Sequence, residues 1–90
     1  MRPNIIFYFS DQQRWDTVNE TVTPNLMKLA KNGVNFTNSY TCQPVCGPAR
    51  ACLQTGLYAT QNQCYWNGIP LPQNIKPLAE YFNEAGYETA

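Results

Sequence analysis

The chain has 90 residues, six basic and six acidic side chains and no histidine. Balanced charge leaves no basic surface for nucleic acid and no acidic tail, and the missing histidine excludes a Ser-His-Asp triad, a histidine general base and histidine-ligated zinc from these residues. Hydrophobic residues make up 43% and charged residues only 13%, which is too apolar for a disordered chain and poor in solvating charge for a free-standing small domain, the balance expected of a slice of a larger domain.

The first element is the run Asn4-Ile5-Ile6-Phe7-Tyr8-Phe9, continuous in β-branched and aromatic residues. Such a run reads as a strand buried on both faces, as in a parallel sheet. It is too short to span a membrane, and no cleavage site follows it, so if Met1 is the true start the expectation is a cytoplasmic protein with reduced thiols. The polar cluster Ser10-Asp11-Gln12-Gln13-Arg14 ends the run. Ligands of open α/β sheets bind beyond the carboxyl ends of the strands, so Asp11 stands where an active-site carboxylate is placed. Thr23 and Pro24 read as the N-cap and first residue of a helix. Leu26, Leu29 and Ala30 give it one apolar stripe, and Gly33 closes it. Residues 34–40 alternate large and polar side chains and read as a second, half-exposed strand. A loop with Pro44 and Pro48 follows, then a helix over 49–55 with Gly56 as its stop. Residues 58–74 read as an irregular loop. A third helix is expected over 75–85, with Leu78, Ala79, Phe82 and Ala85 on one face and Gly86 as cap. Strand–helix–strand–helix alternation predicts an α/β sheet, incomplete in this chain because two strands alone are marginal.

The segment with the most chemical information is Cys46-Gly47-Pro48-Ala49-Arg50-Ala51-Cys52-Leu53-Gln54-Thr55-Gly56. It resembles the signature of the sulfatase family of the alkaline-phosphatase-like superfamily. Cys46, Pro48, Arg50 and Thr55-Gly56 match that signature in register. The resemblance extends to Ser10-Asp11-Gln12-Gln13, to Thr23-Pro24-Asn25-Leu26 with Gly33-Val34-Asn35-Phe36, and to Leu78-Ala79-Glu80-Tyr81-Phe82 through Gly86-Tyr87-Glu88-Thr89. It implies an α/β/α sandwich of which residues 1–90 are an N-terminal piece. It also implies that Cys46 is oxidised after translation to formylglycine, an aldehyde that hydrates to a geminal diol. One hydroxyl of the diol attacks the sulfur of a sulfate ester, and the second lets the aldehyde re-form as sulfate leaves. A divalent cation, usually calcium, is implied beside it, with Asp11, Gln12 and residue 46 as ligands and Arg50 as a catalytic cation. The implied partners are a sulfate ester, such as a sulfated carbohydrate, and a formylglycine-generating or radical maturation enzyme; neither nucleic acid nor membrane is expected.

These residues suit that chemistry. A helix starting just after Cys46 presents N–H groups and partial positive charge to an anion. Asp11 is a hard oxygen ligand for calcium, and the Gln12 amide oxygen is a second. Two positions depart from the commonest pattern. Ala49 stands where many members carry serine, which bears on which maturation system reads the peptide. Gln12 stands where an aspartate is common, which lowers the negative charge at the cation by one. The chain stops before the family's second signature and its later metal and leaving-group residues, so no substantial activity is expected of residues 1–90 alone.

Plainer readings stand beside these. Asp11 could cap a turn, Gln12 could be a solvated amide, and Arg50 could be a helix-surface charge. Cys52 reads as core packing on the apolar stripe. Cys42 and Cys64 remain open between packing, a local disulfide and no role. The four cysteines lack the paired knuckles of a zinc site. Trp15, Tyr65 and Trp66 fit loop packing or a sugar-binding cleft. A phosphonate or phosphate monoester hydrolase of the same superfamily is the alternative activity. A segment that serves only as substrate peptide for a maturation enzyme is the non-catalytic one.

Overall fold

The computed structural model describes residues 2–90. They form two compact units, 2–38 and 39–90. The described residues hold four α-helices: α1 (Pro24–Lys31), α2 (Cys46–Thr55), α3 (Ala59–Asn62) and α4 (Leu78–Glu84), with a short 3-10 helix at Trp15–Thr17. No helix among them is long and apolar enough to cross a membrane.

The two expected strands do not form among the described residues. Residues 4–9 and 34–40 carry no regular secondary structure. Ile5, Ile6, Phe7, Tyr8 and Phe9 are all exposed, as are Val34, Phe36 and Tyr40. The reason is physical. A strand, unlike a helix, satisfies its N–H and C=O groups only through neighbouring strands. The composition of these runs suits a sheet, but no strand ladder forms along them among the described residues.

In the first unit, Thr23 precedes Pro24 as expected but does not cap α1 with its side chain. Its hydroxyl accepts the Asn19 N–H at 3.0 Å and faces the Thr17 and Asn19 carbonyls at 3.1 and 3.2 Å. The preceding turn therefore takes up the side chain that the sequence assigns to the helix. Asn19 organises that turn, its Oδ1 accepting the N–H groups of Thr21 at 3.0 Å and Val22 at 2.9 Å. Asn32, not Gly33, is the C-cap.

In the second unit, α2 packs against α3 and α4. It begins at Cys46, three residues before the expected start. Pro48 is no obstacle, because a proline in the first turn lacks only an N–H that has no intrahelical acceptor. Gly56 ends the helix in a left-handed conformation, its N–H reaching the Cys52 carbonyl at 2.8 Å. The short α3 falls inside the stretch read as irregular. Its entry is fixed by the Tyr58 N–H, which donates to Gln61 Oε1 at 3.0 Å, a local cap with no hydrophobic periodicity to announce it. The fourth helix starts at Leu78 rather than at 75 because Pro77 sits at its N-cap and disfavours helical geometry at Lys76.

A Schellman motif closes α4. The Gly86 N–H donates to the Asn83 carbonyl at 2.9 Å and the Tyr87 N–H to the Phe82 carbonyl at 3.0 Å. Gly86 has φ +83°, which costs glycine nothing. The Phe82 and Tyr87 rings meet edge to face, 5.2 Å between centroids, and supply the apolar contact of that motif.

The core of this unit is small: Cys52, Ala59 and Cys64 with Pro48 and the fully buried Asn62. The Asn62 amide bridges the elements. Its Nδ2 donates to the Leu57 carbonyl at 3.2 Å and lies 3.6 Å from Cys52 Sγ, while its Oδ1 accepts the Cys64 N–H at 2.9 Å. Replacing it by alanine leaves buried polar groups without partners. Asn62→Ala is expected to cost about 2 kcal/mol, read as a lower urea midpoint, whereas Gly86→Ala is expected to cost about 1 kcal/mol through its φ alone.

Candidate functional site

The site expected from the sequence divides between the two units. Asp11 and Gln12 lie in the first, and Cys46 and Arg50 lie in the second.

Cys46 is the first residue of α2 and is exposed. Arg50 is also exposed and lies four residues on, so both occupy one face of the helix, about one turn apart. Val45 is the N-cap, and its side chain makes no capping bond. The cap comes from twenty residues away instead. Asn67 Oδ1 accepts the Gly47 N–H at 2.8 Å, and the Cys46 thiol lies 3.5 Å from the same oxygen. A Cβ on residue 47 would stand 2.6 Å from that oxygen and 3.5 Å from the Asn67 Cα, so glycine is what admits the amide. Asn67 escapes a sequence reading because a side-chain cap of this span leaves no spacing signal. Its one trace is the adjoining Gly68 in a turn-like stretch.

This geometry corrects one sequence expectation. The helix start does not lie just after Cys46 but includes it. Of the next two residues, Gly47 has its N–H taken up by Asn67 and Pro48 has none. The backbone capacity for an anion here is thus smaller than the sequence suggests, which leaves more of the positive charge to Arg50.

All four cysteines are free thiols. The local-disulfide option for Cys42 and Cys64 is not taken. Cys52 is core, 6% exposed, as its place on the apolar stripe indicates. Burial, followed by its neighbour Cys42, pushes the Cys52 thiol up from its ordinary value. Cys64 is buried with its thiol 3.3 Å from the Ile69 carbonyl. Trp15, Tyr65 and Trp66 are exposed rather than packed. A groove of about 350 Å³ lies beside α2, lined by Cys42, Cys52, Leu53, Leu57 and Tyr58 among others.

In the first unit, Asp11 and Gln12 are both exposed, in the bend that follows the apolar run. Gln12 adopts φ +49°, a left-handed conformation uncommon outside glycine. The carboxylate and the amide oxygen are the kind of hard donors a calcium ion takes, but they are two against the 6–8 it needs. No group of three or more His, Cys, Asp or Glu side chains gathers around a cation-sized space among the described residues.

The sequence comparisons bear on this arrangement. The family model described as Sulfatase matches residues 3–90. The chain belongs to the sulfatase family. That family lies in the alkaline-phosphatase-like superfamily. The chain is 41% identical to an uncharacterized sulfatase, YidJ, of Escherichia coli (strain K12), over 98% of its own length and 19% of that protein's. It is 41% identical to an ulvan-active sulfatase of Formosa agariphila, over 97% of its length and 18% of the relative's. It is 34% identical to the multifunctional alkaline phosphatase superfamily protein PehA of Trinickia caryophylli, over 99% of its length and 19% of the relative's. The chain thus spans about a fifth of the length of the curated relatives it matches. No solved structure gives a significant match.

The burial pattern orders the thiols by reactivity. Under native conditions a water-soluble alkylating reagent is expected to label Cys42 and Cys46, and to reach Cys52 and Cys64 only after unfolding, as peptide mass spectrometry will show. Because Cys52 titrates higher folded than unfolded, its contribution to stability is complete below the unfolded thiol value of about 8.5 and is lost as pH rises through the folded value. The urea midpoint is therefore expected to fall as pH is raised above about 8.5, and less so in Cys52→Ala.

Proposed function

We propose that this sulfatase-family chain carries the nucleophile segment of a sulfuric ester hydrolase, with Cys46 as the precursor of a formylglycine nucleophile. The observation that carries the reading is the shared face of Cys46 and Arg50 at the exposed start of α2. A nucleophile must meet its substrate from solvent, and a dianion-like transition state needs fixed positive charge beside it. Arg50 supplies that charge at any working pH and can donate paired hydrogen bonds to ester oxygens. The rigid first turn of α2 holds residue 46 in place.

Asp11 and Gln12 would hold part of a calcium site, contributing two oxygens, with residue 46 as a further ligand. A bound divalent cation supplies charge that acidifies a hydroxyl and offsets the charge of the sulfate. Gln12 in place of a carboxylate makes this donor set one charge less negative. The remaining donors would come from elsewhere in a full-length protein, in which residues 4–9 and 34–40 would join the sheet of an α/β/α sandwich. Residues 1–90 would then be one part of its catalytic domain and inactive alone. The substrate would be a sulfate ester, and the ulvan-active relative favours a sulfated carbohydrate. A formylglycine-generating or radical maturation enzyme would be the partner that converts Cys46, reading a peptide with alanine at position 49. The identity to PehA favours a second reading, a phosphonate or phosphate monoester hydrolase with the same nucleophile.

Four experiments test the proposal in the full-length protein that carries this segment. Co-expression with a maturation enzyme is expected to convert Cys46, seen by peptide mass spectrometry as loss of one sulfur and two hydrogens against gain of one oxygen. Cys46→Ala is expected to abolish turnover of an aryl sulfate, and full retained turnover would refute the nucleophile assignment. Comparing aryl sulfate with aryl phosphate separates the two activities. Asp11→Ala is expected to raise the calcium concentration needed for half-maximal turnover by at least about ten-fold, as expected for a lost carboxylate ligand. An unchanged calcium requirement would remove Asp11 from the site.

A further inference from the structure

We infer that Asn67 is a positioning residue for the nucleophile at position 46, an inference that rests on the sulfatase reading of Cys46. Neither the signature around Cys46 nor its spacing points to Asn67, which lies twenty-one residues further on.

The geometry is specific. An amide oxygen can only accept, so both the Gly47 N–H at 2.8 Å and the Cys46 thiol at 3.5 Å donate to Asn67 Oδ1. The first bond replaces the cap that Val45 does not provide. The second orients the side chain of residue 46 toward one fixed acceptor. The room for this is cut by Gly47, where any Cβ would meet Asn67 Oδ1 at 2.6 Å.

Asn67 is itself held from both directions. Behind it, the Cys64 N–H donates to the buried Asn62 Oδ1 at 2.9 Å, and Asn62 reaches Cys52 of α2 through Nδ2. Ahead of it, the Ile69 N–H donates to the Trp66 carbonyl at 3.3 Å, and the Cys64 thiol faces the Ile69 carbonyl at 3.3 Å. The loop that carries Asn67 is thus tied to the same helix whose first turn it caps.

The chemical consequence follows from the acceptor's nature. A hydroxyl on a matured residue 46 would donate to Asn67 Oδ1 from the place where the thiol now does. A neutral amide is far too weak a base to remove that proton. It therefore orients the hydroxyl without ionising it, and it adds no negative charge beside an anionic ester. Asparagine does this and aspartate does not.

The test uses the full-length, matured protein, with rates normalised to the formylglycine content of residue 46. Asn67→Ala is expected to lower kcat for an aryl sulfate about ten-fold, the scale of one lost hydrogen bond, with a much smaller change in KM. Asn67→Asp keeps the cap and is expected to keep the thermal midpoint, but to raise KM for the anionic ester through charge repulsion. Gly86→Ala, which weakens α4 instead, serves as the stability control and is expected to leave both constants unchanged. The inference is overturned if Asn67→Ala lowers the thermal midpoint while kcat stays within two-fold, or if Asn67→Asp matches the unsubstituted protein in both constants. Failure of the underlying reading shows separately, as an unmodified residue 46 together with an active Cys46→Ala protein.

Discussion

The amide of Asn62 is the contact on which the second unit depends. It is wholly buried, and its two ends face different elements. One end faces Cys52 and the Leu57 carbonyl, and the other receives the Cys64 N–H. A buried amide is costly unless both ends are satisfied, and here they are. That requirement fixes how α3 turns away from α2 and where the following loop departs. The loop then returns along α2, so that Asn67 arrives at its first turn. The small apolar core of this unit would not by itself specify such a path.

The start of α2 is built for exposure and rigidity together. The nucleophile proposed at residue 46 would lose orientation on a flexible loop and would be hemmed by neighbouring side chains in the body of a helix. Cys46 at the first helical position avoids both. Gly47 gives the approach space for Asn67, Pro48 packs into the core, and Arg50 returns to the same face one turn later. Residue types that look arbitrary in a line of sequence have separate physical duties within five positions. The buried Cys52, whose thiol burial pushes up from its ordinary value, gives the same residue type a packing role on the same helix.

The first unit shows the limit of local pattern. Its apolar run is among the most regular features of the sequence, yet Ile5 to Phe9 remain exposed. Burying such side chains is worth about 1.5–3 kcal/mol each, a gain available only against a partner surface. The helices form because their hydrogen bonds close within the segment. In the full-length setting proposed above, the same run would gain its ladder from neighbouring strands.

By itself, the sequence determined the family, the three longer helices, the in-register signature and the buried role of Cys52. These are local or near-local properties, carried by spacing of 3.6 residues, by capping chemistry and by a short contiguous motif. Only the tertiary structure decided that α2 starts at Cys46, that Thr23 serves the preceding turn instead of α1, that the cysteines stay unpaired, and that Asn67 caps the helix that Cys46 begins. Each of those depends on which distant group reaches a given N–H, thiol or hydroxyl first. A contact spanning twenty residues leaves no periodic mark in the sequence, because its geometry comes from the packing of everything in between.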